Sequence, residues 1–379
     1  MPPRSGRSSL RDRHARPTGD DRPSPRNQKP VRCEFDEVDT GAMTDTNAHV
    51  ASSAPDPATV QRALDRAGRA PSIHNTQPWR WEFDGAELRL YRDNDRLLTS
   101  ADPTGRQLVI SCGTMLHHLR TVLAADGWHT DIERIPDIAR PDLLARLTFR
   151  PWPDPPDGVL ARASAIESRR TDRLPLTAPT GWAQAMRAAR KLTSPHEVAL
   201  DVLDDSARAI LANASREATA KRRYDMDYQA ELHWWAGHSP SREGIPSSAL
   251  PSGAEAFRVP IARKFPTSPH SDRRRDVEDH AALVVLSTVG NGVVDWLHVG
   301  EALSAVLLEC TRAGLATCAL THITELVTAR KALENLTAGS GVPQVLVRVG
   351  SAPLEPAPAP PTPRRGVDEF LTIVNTSAK

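Results

Sequence analysis

The sequence predicts an α+β protein built from two related halves, and three observations carry that reading. Two strongly apolar helical stretches, QLVISCGTMLHHLRTVLAADG and WLHVGEALSAVLLECTRAG, fall into register when Gly127 is laid on Gly314. That register sets Gly113 on Gly300, Leu116 on Leu303 and Leu119 on Val306, as an internal duplication would. Short strand patterns accompany each helix. The chain has 379 residues, 39% of them hydrophobic, enough for a substantial core.

Residues 1–50 lack hydrophobic periodicity and are dominated by Arg, Pro, Ser and Asp, so they are expected to stay disordered. Met43 is a natural alternative start, because the first helical pattern begins soon after it. DPATVQRALDRAG then repeats Val60, Ala63, Leu64 and Ala67 at helical spacing and stops at Gly68. WRWEFDGAELRLYRD reads as a hairpin turning at Asp84-Gly85. The first apolar helix follows, carrying Leu108, Cys112, Met115, Leu116, Leu119, Val122 and Leu123 on one side, with HTDIERIPD as a strand after it.

IESRRTDRLPL (166–176) opens the second half and leads into a mostly helical region to about Tyr228. Residues 231–253 are polar, rich in Gly and Pro and unusually aromatic. A long loop of this kind is expected to act as a lid, with Trp234 or Trp235 covering something. AALVVLST (281–288) and VPQVLVRVG (342–350) are strands flanking the second apolar helix, and TPRRGVDEFLTIV closes the chain. The expected divisions are 1–50, 51–165 and 166–379.

Net charge is +1, which gives no argument for nucleic acid or an acidic membrane as partner. Residues 1–30 hold eight Arg or Lys against three Asp, so the rest of the chain is about four charges negative. Cys33, Cys112, Cys310 and Cys318 show no metal spacing, and free thiols are expected. No apolar run reaches 18 residues and no apolar segment follows the basic N-terminus, so a cytoplasmic location is expected.

GxGxxG after a strand, GxxxxGK[ST], GxSxG and HExxH are all missing, which removes support for a Rossmann, P-loop, esterase or zincin site. His117-His118 are adjacent and do not share a helical face, so a metal role is not expected. Polar anchors remain. Asn75 and Gln77 both donate and accept hydrogen bonds, which suits the uracil-like edge of a flavin ring, and Pro71 and Pro78 stiffen their turn. Arg169, Arg170 and Arg173 surround Thr171, and Arg364-Arg365 lie near the C-terminus; guanidinium forks match phosphate oxygens. Such a set fits a ligand with a flat heterocycle at one end and a phosphate at the other, although solvated surface charge is the plainer reading of the arginines.

Four stretches resemble the nitroreductase superfamily, in particular its Acg-like branch, in which one chain holds two nitroreductase-like halves imitating the usual homodimer. They are RAPSIHNTQPWRWEF, SRRTDRLPL, WLHVGEALSAVLLECTRAGLATC and VLVRVG…TPRRGVDEFL. The resemblance implies an internal pseudo-dimer with a lid, monomeric, binding FMN, with NADH or NADPH as reductant and a nitroaromatic or quinone-like acceptor. It places cofactor contacts on Asn75, Arg169, Thr171, Arg173, Arg364 and Arg365, with Gln77 beside them. Because Arg169 follows Asn75 in this chain, the two would come from different halves and make one complete site. The lid of this branch also implies an alternative, a flavin-sequestering protein tied to stress or dormancy whose ring no nicotinamide can reach. The resemblance names no catalytic side chain, since the flavin N5 carries the chemistry.

Overall fold

Asp56 caps the first helix, its Oδ1 accepting from Thr59 N at 2.9 Å, and Pro57 supplies the first turn, so α1 (Pro57–Ala67) starts where the sequence places it. Val60, Ala63, Leu64 and Ala67 form its buried face. The computed structural model describes residues 54–237, 243–269, 271–337, 339, 341–354 and 360–374. The expected N-terminal extension, Met43, Cys33 and residues 238–242 of the expected lid lie outside the described residues.

The hairpin forms as β1 (Trp79–Phe83) and β2 (Leu88–Arg92), with Asp84 accepting from Ala86 N and Glu87 N. It is followed by α2 (Arg106–Ala125), β3 (Trp128–Arg134), β4 (Leu143–Pro151) and α3 (Asp157–Ser168). The second half runs α4 (Trp182–Thr193), β5 (Ala199–Val202), α5 (Ser206–Arg222), α6 (Met226–Trp235), α7 (Gly253–Phe257), β6 (Ala282–Thr288) and α8 (Val293–Arg312). It ends with β7 (Ala316–Leu320), α9 (His322–Glu325), α10 (Val327–Glu334), β8 (Val342–Gly350) and β9 (Leu371–Ile373).

The sheets have strand orders β3-β4-β2-β1-β9 and β7-β8-β6-β5. With β9 set aside, the two orders correspond strand for strand, and every neighbouring pair in both is antiparallel. A helix precedes the first strand of each set, and a 20-residue apolar helix separates its second and third strands. The end of the chain returns to the first sheet, where β9 lies parallel to β1 and Trp81 N donates to Phe370 O.

The helices α2 and α8 cross with their backbones in contact. A Cβ on Gly113 would stand 2.3 Å from Leu297 O, and one on Gly300 would stand 2.2 Å from Ile110 O. Those contacts are reciprocal: the register that sets Gly113 on Gly300 also sets Ile110 on Leu297. Each glycine thus meets its own counterpart and that counterpart's helix backbone, as at an isologous interface. By length and composition α2 could cross a membrane, yet it is buried here as a core helix.

Glu301 lies on this crossing, fully buried, and its carboxylate accepts from Arg134 Nε at 2.6 Å and Nη2 at 2.9 Å, with Arg120 at 3.3 Å and His196 at 4.0 Å. Burial raises its pKa, but the hydrogen bonds and charge of Arg134 outweigh burial and hold it below the usual 4.5. His196 is pushed down to about 4, by burial first. Both groups take up protons more readily when unfolded, so both lend stability that is lost as pH falls, His196 from about 6.5 downward and Glu301 below 4.5. Glu301→Gln is expected to cost about 3 kcal/mol at neutral pH by stranding Arg134, and to flatten the fall of Tm below pH 4.5. Gly113→Ala is expected to cost at least about 2 kcal/mol by denaturant titration, because the added methyl meets backbone.

Candidate functional site

The stretch 71–78 is held in a tight, strained turn. His74, Asn75 and Gln77 all take positive φ (45°, 60° and 51°), a region that side chains rarely occupy without reason. Ser72 Oγ accepts from Gln77 N at 3.0 Å, Gln77 Nε2 donates to Asn75 O at 3.3 Å, and Thr114 Oγ1 donates to Pro71 O. Asn75 Nδ2 donates to Gly244 O at 2.9 Å and to Pro363 O at 3.1 Å. Its amide hydrogens therefore tie segment 243–269 and the C-terminal segment to the turn.

Gln77 is fully buried and accepts from Arg365 N at 2.9 Å, while Arg365 Nη1 donates to Gln77 O at 2.9 Å and Nη2 to Glu369 O at 2.8 Å. Gln77 and Arg365 thus hold each other and dock the end of the chain beside β1. Neither lines the cavity described below.

Arg169 and Arg364 do come together, and they meet at a residue the sequence reading passed over. The carbonyl of Arg69 accepts from Arg169 Nη2 at 3.1 Å and from Arg364 Nη2 at 3.2 Å. Three guanidiniums gather here, and of the three Glu167 approaches only Arg69, at 3.6 Å, while also pairing with Arg66 at 3.5 Å. Burial pushes Arg169 down to about 10, with Arg69 adding repulsion. Burial likewise pushes Arg364 down to about 9, with Arg169 and Arg69 adding theirs. Arg169 is 5% exposed, and its Nε has no hydrogen-bond partner. A cluster of this kind gains by taking an anion.

Arg169 leaves α3 in an extended conformation, Thr171 bridges Thr317 in parallel, and Asp172 N donates to Thr317 O at 2.8 Å. Alternate residues of an extended run share a face, so Arg169, Thr171 and Arg173 follow one another on one side over about 13 Å. Arg170 is exposed. Thr171 and Arg173 line a cavity of about 350 Å³, together with residues 71–74 of the turn, Ser111 and Thr114 of α2, and residues 318–322.

Segment 245–267 closes the cavity, but through residues other than the tryptophans expected to cover it. Trp234 is 75% exposed, and Trp235 packs beside Tyr228 and Leu232. The ring presented to the cavity is Phe265, edge-on to His74 at 5.4 Å and capped by the Arg173 guanidinium at 5.4 Å. Arg263 pairs in the interior with Glu325 and Tyr228, and Arg96 pairs with Glu243; together they latch the segment at both ends. His117 and His118 are buried against Ser304 Oγ at 2.7 Å, and no cluster of His, Cys, Asp and Glu suited to a metal occurs among the described residues.

No family model matches the chain. A Mycobacterium tuberculosis (strain H37Rv) protein named "Putative NAD(P)H nitroreductase acg" is 44% identical over 315 residues, 83% of this chain and 95% of that one. A second protein of that strain, "Putative NAD(P)H nitroreductase Rv3131", is 38% identical over 328 residues, 84% of this chain and 92% of its own.

The chain belongs to the nitroreductase superfamily, in its Acg-like branch.

Two solved structures align loosely. The FMN-dependent nitroreductase NfnB of Mycobacterium smegmatis, solved with NADPH, gives TM-score 0.33 and 16% identity over 51% of this chain and 88% of its own. An Anabaena variabilis protein whose structure is described as that of a "putative nitroreductase" gives 0.39 and 11% over 79% and 90%. In this Acg-like chain, the C-terminal segment is held by Arg365 at the turn. Arg365→Ala is expected to destabilise the fold by about 1–3 kcal/mol, since Gln77 loses a partner in the interior, and to make the segment after Gly350 more sensitive to limited proteolysis than in wild type.

Proposed function

We propose that the chain holds FMN along the face of Arg169, Thr171 and Arg173 and acts as an NAD(P)H-dependent oxidoreductase, passing a hydride or electron pair to a nitroaromatic or quinone-like acceptor. The observation that carries this reading is the Arg69–Arg169–Arg364 cluster, cationic and short of carboxylates, with Arg169 two residues before Thr171 at the wall of a cavity of about 350 Å³. The printed names of the relatives support the activity.

The residues present fit that group. The arginines grip the phosphate, with Arg69 added to the expected Arg169 and Arg364, and Thr171 offers a hydroxyl between phosphate and ring. Bound FMN would supply the redox chemistry, accepting and releasing the electron pair at its ring. Arg173 places positive charge on the cavity wall, favouring an electron-rich ring there. The segment 245–267 walls one side of the cavity, which would limit water at the ring. His74 and His322 are buried, their pKa values driven down first by burial, so they stay neutral and donate no proton from a charged form. In this reading Asn75, Gln77 and Arg365 hold the turn, the covering segment and the chain end in place.

An internal pseudo-dimer with one site accounts for the matched sheets. The register that pairs Gly113 with Gly300 pairs the cavity-lining Thr114 with Glu301. Around Glu301, Arg134, Arg120 and His196 occupy the second position. The pseudo-dimer meets its interface within one chain, so a monomer is expected.

The latched segment favours a second reading, a flavin store closed to nicotinamide. Anaerobic addition of NADH or NADPH separates the two: bleaching of the yellow protein is expected of an oxidoreductase, and an unchanged spectrum would leave the store. Arg69→Ala and Arg169→Ala are each expected to weaken FMN at least tenfold while leaving riboflavin within about twofold. Equal losses for both ligands would remove the arginines from the phosphate.

A further inference from the structure

His322 stands at the start of α9, lines the cavity and is only 5% exposed. Its Nε2 is 2.9 Å from Ser215 Oγ, and that oxygen is also 3.1 Å from Ala262 O. Ala262 O can only accept, so the single proton of Ser215 goes to it. The hydroxyl oxygen then accepts from His322, which puts the imidazole proton on Nε2. In the opposite tautomer a hydroxyl lone pair would face a carbonyl oxygen at 3.1 Å. Nδ1 is left as a buried lone pair without a hydrogen-bond partner, on a ring whose residue lines the cavity. Burial, with Arg263 adding repulsion, drives the ring's pKa down to about 3, so the lone pair persists at any ordinary pH. An interior acceptor with no donor is costly unless a ligand supplies one.

We propose that His322 Nδ1 recognises the ring of the bound flavin by accepting a hydrogen bond from one of its ring N–H groups. This rests on the cofactor reading above and adds to it a residue and a direction of hydrogen bonding. His322 comes from the second sheet's side, after β7, and was invisible in the sequence because a Thr-His-Ile-Thr stretch after a strand reads as a plain helix start. Two ring positions offer the donor. The oxidised ring carries an N–H at N3, and reduction adds one at N5.

The test uses the full-length apoprotein, as wild type, His322→Phe, which keeps a planar ring but no acceptor, and His322→Gln, which restores one. Each is titrated with FMN and with 3-methyl-FMN, and the two-electron midpoint potential of bound FMN is measured. If N3–H is the donor, wild type prefers FMN to its 3-methyl analogue about tenfold, His322→Phe erases the preference by losing FMN affinity, and His322→Gln recovers it. If N5–H is the donor, the two flavins bind alike and His322→Phe lowers the potential by about 30 mV, equivalent to a tenfold preference for the reduced ring. Ser215→Ala frees the imidazole to move its proton to Nδ1 and is expected to weaken whichever effect is seen several-fold, with the ring still in place. An unchanged preference and potential in His322→Phe, or in Ser215→Ala should the former not fold, overturns the proposal while the cofactor reading stands. Failure of the wild type to bind either flavin overturns both.

Discussion

The backbone contact between α2 and α8 is the constraint on which the rest of the structure depends. Gly113 and Gly300 allow two 20-residue helices to approach until each glycine lies against the other helix's backbone. With no side chain between them, a small error in spacing would shift both sheets, because each packs its apolar face on one of these helices. The same approach brings residues 69–74 from one side and 169–173 from the other close enough for Arg169 to reach the Arg69 carbonyl. That arginine cluster follows from the crossing, not from any single loop.

Two equivalent positions flank such a crossing, and the chain treats them in opposite ways. At one, Thr114 is small and its hydroxyl is spent on Pro71, so a cavity remains. At the other, Glu301 gathers Arg134, Arg120 and His196 into a filled, internally paired knot. The filled position stabilises the crossing. The open one holds three crowded guanidiniums and two unpartnered atoms, the Arg169 Nε and the His322 Nδ1. Groups that cost stability in the free chain are those a ligand would repay.

Long periodic elements were legible in the sequence. Both core helices, the hairpin and the strands at 282–288 and 342–350 lie where apolar spacing puts them. β4 escaped notice although Leu143, Ala145, Leu147 and Phe149 alternate, and β5 is too short to stand out within a helical region. Arg169, Thr171 and Arg173 were legible because alternate spacing is a local property. Arg69 and Phe265 were not: each acts through partners far along the chain, and neither has a neighbour of its own kind to mark it. The tryptophans misled for the opposite reason. Aromatic content signals something to cover, but the side of α6 on which Trp234 falls is set by packing against Leu98 and Ala101, and it faces outward.

One titration tests most directly whether the two halves build a single site that grips a flat ring and its phosphate together. Apoprotein is titrated by calorimetry with FMN and with riboflavin. One FMN per chain is expected, bound at least a hundredfold more tightly than riboflavin. Two equivalents per chain, or equal affinity for the two ligands, would contradict it.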